Sequence, residues 1–204
     1  MSGRLVLATR NQGKVGELRA ILADVLDRTG TELVGMDAFP DVPDVVESGV
    51  TFEENALLKA RFAAEATGLP ALADDSGLAV DVLGGSPGVF SARWSGRHGD
   101  DEANLRLLLA QISDVPEEHR SAAFVCCAAL AMPDGRTVTR HGRFEGTIVR
   151  EPRGENGFGY DPILQVAGDT RTSAELPPEE KNAISHRAKA FAALAEALPE
   201  YLGH

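Results

Sequence analysis

The 204-residue chain predicts an α/β fold built on a mixed β-sheet flanked by helices. Three observations carry that prediction. Short apolar, strand-like runs alternate with segments of helical periodicity. One pair of runs is joined by a hairpin turn, which puts antiparallel neighbours into the sheet. No internal repeat, low-complexity tract or linker interrupts the pattern. The length suits a single domain over residues 1–204 and is enough to bury a self-sufficient core.

Leu5-Val6-Leu7-Ala8 reads as a strand, and Thr9-Arg10-Asn11-Gln12-Gly13-Lys14 as the polar turn after it. Val15, Leu18, Ile21, Leu22 and Val25 recur at helical spacing and predict one helix. Residues 31–34 form a second strand candidate, and residues 39–49, with Pro40, Pro43 and several acids, a loop. Thr51-Phe52-Glu53-Glu54 has the capping-box pattern and predicts a helix to about Ala66, stopped by Gly68 and Pro70. Residues 71–73 read as a short strand ending in the segment Asp74-Asp75-Ser76-Gly77. Residues 78–83 fit a further strand or short helical element, and residues 84–88 a turn. Asp100 can cap a helix whose apolar side holds Leu105, Leu108, Leu109 and Ile112. Residues 122–132 read as a buried strand, and Pro133-Asp134-Gly135 as a hairpin turn into residues 137–141, with residues 144–149 as a third member. A glycine-rich loop over residues 152–159 leads to a short edge strand at 162–164. The last helix covers about residues 185–198, with Ala188, Phe191, Leu194 and Leu198 on one side.

Composition excludes several functions. A net charge of −11 without a long basic run argues against a nucleic-acid partner, because such binding depends on neutralising many phosphates. A small polyanion can still bind where a few cations converge. Apolar runs are short and interrupted, so no membrane span is expected. The opening Met1-Ser2-Gly3-Arg4 lacks a signal-peptide layout, and the expected compartment is the cytoplasm. Cys126 and Cys127 are neighbours whose side chains point to opposite faces of a strand. They suit neither a shared metal nor a relaxed disulfide and are expected as buried, reduced thiols. His98, His119, His141, His186 and His204 form no H-x-x-x-H pattern, so no zinc site is expected. No G-x-S-x-G marks a nucleophile elbow.

Four segments can carry chemistry. The turn Thr9 to Lys14 precedes a helix N-terminus, where free N–H groups and the helix dipole favour phosphate, and Lys14 adds a charge. It is not a P-loop, since Ala8 replaces the first glycine and Val15 cannot ligate magnesium. The competing reading is a plain exposed turn. Asp74 and Asp75, followed by Ser76 and Gly77, offer a metal ligand and a base, or else a tight turn whose acids bond nearby backbone N–H groups. In Gly154 to Asp161, Phe158 and Tyr160 either present a ring to a planar base or tuck into the core. Residues 179–187 place Lys181, His186 and Arg187 at a helix start, as donors toward base oxygens or as a solvated terminus.

Six motifs, in order along almost the whole chain, make it similar to the inosine/xanthosine triphosphate pyrophosphatase family. They are Leu7-Ala8-Thr9-Arg10-Asn11-Gln12-Gly13-Lys14, the run Thr51-Phe52-Glu53-Glu54-Asn55-Ala56-Leu57-Leu58-Lys59-Ala60, Ala73-Asp74-Asp75-Ser76-Gly77-Leu78, the run Pro87 to Gly96, Gly157-Phe158-Gly159-Tyr160-Asp161-Pro162, and Ser185-His186-Arg187. The resemblance implies Mg²⁺-dependent hydrolysis of deaminated purine nucleoside triphosphates (ITP, dITP, XTP) to monophosphate and pyrophosphate. It also implies an elongated sheet, two lobes around a nucleotide-binding cleft, and a homodimer. Thr9, Arg10, Asn11, Gln12, Gly13 and Lys14 would hold the triphosphate, with Lys59 nearby. Asp75 would be the catalytic carboxylate and Ser76 a substrate contact. Phe158, Gly159, Tyr160, Asp161, Lys181, His186 and Arg187 would form the base pocket. Where relatives often have two adjacent acids before the Thr-Phe helix start, this chain has Val46-Glu47. Glu47 is therefore the second metal carboxylate expected beside Asp75, with Asp74 as the other candidate. The rival readings are a Maf-like pyrophosphatase with another base preference and a catalytically silent nucleotide-binding protein.

Overall fold

The structure is a computed structural model describing residues 3–202; Met1, Ser2, Gly203 and His204 lie outside that range. Six strands form a mixed sheet in the order β2-β1-β3-β4-β5-β6: β1 Gly3–Leu7, β2 Thr31–Gly35, β3 Ala71–Val80, β4 Ser121–Ala131, β5 Thr137–Ile148 and β6 Leu164–Val166. The helices are α1 Gln12–Ile21, α2 Ala23–Thr29, α3 Phe52–Thr67, α4 Asp101–Gln111, α5 Pro178–Ile184 and α6 His186–Leu202. The predicted α/β class and mixed sheet are borne out. No helix among the described residues is long and apolar enough to cross a membrane.

The chain divides into two compact units, the first made of Met1–Asp75, Cys126–Gly142 and Arg187–His204. Here β1 pairs in parallel with β2 on one side and β3 on the other, with Leu7 opposite Gly35 and Leu72. Both faces of this part of the sheet are buried, which is why its strands read as continuous apolar runs. Leu5, Leu7, Leu72, Cys126, Ala128 and Leu130 pack with Leu18 of α1, Leu22 just after it, and Phe191 and Leu194 of α6. The alternate residues Val6, Ala71, Ala73, Cys127, Ala129 and Ala131 pack with Ala56, Ala60, Ala63 and Ala64 of α3. Small residues dominate that second interface, letting helix and sheet approach closely. As expected, the two cysteines face opposite layers, and both are free and buried.

The second unit, Ser76–Val125 with Arg143–His186, has its own core of Leu78, Val80, Leu108, Ile112, Phe144, Ile163 and Leu164. Arg120 is only 1% exposed there and donates to the carbonyls of Ile112 (2.6 Å), Ile148 (2.7 Å) and Val149 (3.2 Å). Asp100 caps α4 by accepting from the Ala103 N–H at 3.2 Å, as predicted.

Four predicted boundaries change. The single helix expected over 15–25 breaks at Leu22 (φ −94°, ψ 2°), although Leu22 and Val25 stay in one core. Apolar periodicity reports which side chains are buried and not whether the backbone is continuous. The segment Asp74 to Gly77 is not a strand end: β3 runs through it for ten residues. Leu78 and Val80 are fully buried, and Gly77 lies so close to the Gly88 carbonyl and Ser91 that a Cβ would collide with them. Residues 137–148 likewise form one strand, because Gly142 and Phe144 take successive inward positions. The edge strand begins later than predicted, after a 3₁₀ turn at Asp161–Ile163.

Candidate active site

Within the first unit, parallel pairing of β1 with β3 sets the turn after β1 beside the acids of β3. The Ala8 N–H donates to the Leu72 carbonyl at 2.7 Å, so the chains leave that rung together toward Thr9 and Asp74. β1 connects onward to β2 on one side, while β3 lies on its other side. Strand ends at such a reversal are where open α/β sheets bind ligands. Gln12, Gly13 and Lys14 form the first turn of α1. Asn11 caps the helix by accepting from the Lys14 N–H at 3.2 Å, and Thr9 Oγ1 accepts from the Asn11 N–H at 3.2 Å. The side chains of Asn11 and Gln12 are exposed, and that of Lys14 half-buried. A capped N-terminus carrying a lysine in its first turn presents dipole and charge to an anion.

The two aspartates serve different layers because β3 alternates. Asp74 lies on the α1 and α6 side. Its Oδ1 is 3.6 Å from Lys14 Nζ and its Oδ2 accepts from Arg187 Nε at 3.2 Å. Burial alone would raise its pKa, but Lys14, Arg187 and Lys59 outweigh burial and hold the carboxyl well below its ordinary value. Asp74 is thus a fully committed carboxylate. Arg187 is itself buried and also faces Glu17 at 3.8 Å.

Asp75 points toward α3. Its Oδ1 is 3.5 Å from Lys59 Nζ, and its Oδ2 accepts from Asn55 Nδ2 at 3.1 Å. Lys59 also donates to Glu47 Oε1 at 2.8 Å, so one ammonium stands between two carboxylates. Burial pushes the Asp75 carboxyl above its ordinary pKa. Lys59 and the Asn55 hydrogen bond oppose the shift, while Glu47 and Asp74 add to it. Glu47, Asp75 and Lys59 give the oxygen-rich, partly neutralised setting that a hard divalent cation takes.

Asn55 is the residue the sequence reading missed. It is 2% exposed, and besides holding Asp75 its Oδ1 accepts from the Gly49 N–H at 2.8 Å. One side chain therefore fixes the catalytic candidate and the loop that carries Glu47. The available signal was spacing, since Asn55 and Lys59 lie one turn apart on the same face of α3. A buried asparagine inside a helix also goes against propensity. Arg10, expected at the phosphate, donates instead to the carbonyls of Met36 and Val42 and to Asp44, clamping the loop that leads to Glu47. A cavity of about 260 Å³ opens here, with Thr9, Arg10, Glu47 and Lys59 in its wall.

In the second unit, Phe158 and Tyr160 part company. Tyr160 is buried, and its hydroxyl donates to the Ser91 carbonyl at 2.9 Å, so it supports the loop from the core. The Phe158 ring is 69% exposed, with Lys181 Nζ 5.5 Å from its centroid. Asp161, buried, accepts from the Phe158 N–H (2.9 Å), Ser173 Oγ (2.8 Å) and Lys181 Nζ (2.5 Å). Gly157, at φ +77°, lies against this carboxylate, where any side chain would collide. The Gly159 N–H donates to Asp101 Oδ2 at 2.9 Å. His186 stacks on Phe124 with ring centroids 5.3 Å apart. Ser76, half-buried, is the first residue of this unit. An exposed ring held beside a lysine on a hydrogen-bonded loop is a platform for a planar heterocycle.

Known proteins give the same direction. The profile of the Ham1 family matches residues 5–197. A Streptomyces avermitilis protein named dITP/XTP pyrophosphatase is 66% identical over 200 residues, covering 98% of this chain and 99% of that protein. The solved structure of a HAM1 protein from Coxiella burnetii is 45% identical with a TM-score of 0.89, covering 97% of this chain and 99% of that one. That of a nucleoside-triphosphatase / dITP/XTP pyrophosphatase from Mycobacterium abscessus is 54% identical with a TM-score of 0.80, covering 96% and 99%. With a family match across nearly its whole length, this chain belongs to the Ham1 family.

Proposed function

We propose that the chain hydrolyses deaminated purine nucleoside triphosphates (ITP, dITP and XTP) to the monophosphate and pyrophosphate. The observation that carries this reading is the Glu47–Lys59–Asp75 arrangement beside the capped N-terminus of α1. Asn11, Gln12 and Lys14 hold the phosphates, and Arg10 serves as the loop clamp. Glu47 and Asp75 would hold Mg²⁺: both offer oxygen and share a single lysine, which marks where positive charge is favoured, whereas the two oxygens of Asp74 each already face a cation of their own, Lys14 and Arg187. When bound, the metal supplies charge neutralisation and lowers the pKa of a bound water.

Asp75 accepts the proton of the water that attacks the α-phosphorus. Burial makes it a stronger base than a surface aspartate, which suits the task. Lys14 and Lys59 stabilise negative charge on the departing pyrophosphate. Phe158 stacks on the base, and Lys181 donates toward the 6-oxygen. Adenine presents an amino donor there, so buried donors would stay unpaired, a mismatch that can cost several orders of magnitude in specificity. The protein acts in the cytoplasm as a homodimer on a small-molecule substrate, without a nucleic-acid partner. Its two buried thiols suit a reducing compartment, and its net charge of −11 argues against a nucleic-acid partner.

The test is pyrophosphate release from ITP, dITP, XTP, GTP, ATP and dTTP, with and without Mg²⁺. The expected result is turnover of the first three alone, lost in Asp75→Asn with the fold retained. Equal rates on ATP, or a fully active Asp75→Asn, would overturn the reading.

A further inference from the structure

A second set of donors converges elsewhere in the first unit. Glu53 in the first turn of α3, Cys127 on β4 and His141 on β5 bring a carboxylate oxygen, a thiol sulfur and an imidazole nitrogen within 4.8 Å of one another. His141 Nε2 and Glu53 Oε2 are already 3.0 Å apart. The three residues are far apart in the chain, so sequence spacing could not reveal the group. Strand alternation completes it by turning Cys126 into the opposite layer and Cys127 toward α3.

We propose that Glu53, Cys127 and His141 form a site for a borderline-soft divalent cation of the Zn²⁺ class, distinct from the phosphate-handling acids. Sulfur, nitrogen and oxygen in one set are what Zn²⁺ takes, whereas Mg²⁺ takes oxygen alone, so the donors separate the two metals. Zinc bonds of about 2.0–2.3 Å place tetrahedral ligand atoms roughly 3.3–3.8 Å apart. The present spacing needs a closure of about 1 Å, which torsions of the exposed Glu53 and His141 side chains can supply. Three protein ligands leave the fourth position to water. An opening lined by Thr51, Phe52, Glu53, Glu54 and His141 gives solvent access.

Without metal, burial first and then Glu53 and the two aspartates keep the Cys127 thiol protonated, with its pKa pushed up to about 12. Binding exchanges that proton for the cation: Zn²⁺ and Cys–SH become a Zn–S bond and a released proton, so affinity falls as pH is lowered. An ion here ties the start of α3 to β4 and β5. The same first turns of α3 carry Asn55, so occupancy stiffens the support of Asp75.

The experiment uses the full chain, stripped with a chelator and held in saturating Mg²⁺ to fill oxygen-only sites, then titrated with Co²⁺ as a spectroscopic probe. The expected result is a stoichiometric thiolate-to-cobalt charge-transfer band with the visible bands of tetrahedral geometry, displaced by Zn²⁺. Cys127→Ala abolishes the band, Cys126→Ala keeps it, and His141→Ala weakens Co²⁺ binding at least tenfold. Zn²⁺ raises Tm by several degrees in the parent and not in Cys127→Ala. Circular dichroism confirms that each variant is folded. Co²⁺ binding without the thiolate band, a band that survives Cys127→Ala, or no binding at all overturns the proposal and leaves a Glu53–His141 ion pair above a core cysteine.

Discussion

Replacing Asn55 by alanine tests whether Asp75 is held in place for its task. The variant removes the donor 3.1 Å from Asp75 Oδ2 and the acceptor 2.8 Å from the Gly49 N–H. A hydrogen bond to a charged group is worth about 1.5–3 kcal/mol, and an orphaned, half-buried N–H about 1 kcal/mol more. At about 2–4 °C per kcal/mol for a chain of this length, the change should lower Tm by roughly 5–15 °C. The larger effect falls on turnover. Asp75 loses one of its two fixed partners and the Glu47 loop loses its tether, and misplacement by about 1 Å can cost roughly 100-fold. We expect kcat to fall about 10- to 100-fold. The Asn55 hydrogen bond lowers the Asp75 pKa, so losing it moves the acid limb of the pH–rate profile to higher pH. Steady-state kinetics across pH, run beside thermal unfolding, separate the two roles. A lowered Tm with unchanged kcat and an unmoved acid limb would falsify the positioning role and leave Asn55 as a packing residue.

Three further outcomes follow from the geometry. Arg120→Ala should destabilise the second unit by about 3–5 kcal/mol in urea unfolding, since the Ile148 and Val149 carbonyls lose their guanidinium donor and the Ile112 carbonyl keeps only the Val115 N–H; a loss under 1 kcal/mol contradicts the bonding described. Phe158→Ala should change stability by less than about 0.5 kcal/mol, because the ring is 69% exposed, yet raise KM about tenfold or more through lost stacking. An unchanged KM removes the ring from the base platform. For Asp74 the folded pKa lies below the ordinary 3.8, so the unfolded chain takes up this proton first. The stability it contributes is complete above that ordinary value and drains away as pH falls below it. Asp74→Asn should therefore flatten the acid side of the stability–pH curve, and an unaltered slope would show that Lys14 and Arg187 do not bias this carboxyl.

Much of the fold was legible because burial writes itself into periodicity. The Thr51 capping box, the Gly68 stop and the long apolar β4 all match the structure. Continuity was less legible. Asp74-Asp75-Ser76-Gly77 has the composition of a turn, and only the packing around Gly77 and Leu78 keeps it extended. For the candidate site, proximity of the α1 turn to the acids follows from β1–β3 pairing, a long-range register that no local pattern encodes. Arg10 and Asn55 show the same limit from opposite sides. A cation in a phosphate-like turn is spent on loop carbonyls, while an amide inside a helix becomes the support of the acid. Side-chain type was readable, but side-chain partner was not.

The unbroken course of β3 imposes a rule on chain length. Consecutive positions on that ribbon face opposite ways, so Leu72 and Asp74 belong to one layer and Ala73 and Asp75 to the other. Inserting or deleting one residue between Leu72 and Asp74 would exchange the two acids, presenting Asp74 to Lys59 and Asp75 to Arg187. A substitution here alters one side chain, whereas a change of count inverts the polarity of the centre in a single step. Homologous chains should therefore keep the number of residues in this stretch fixed.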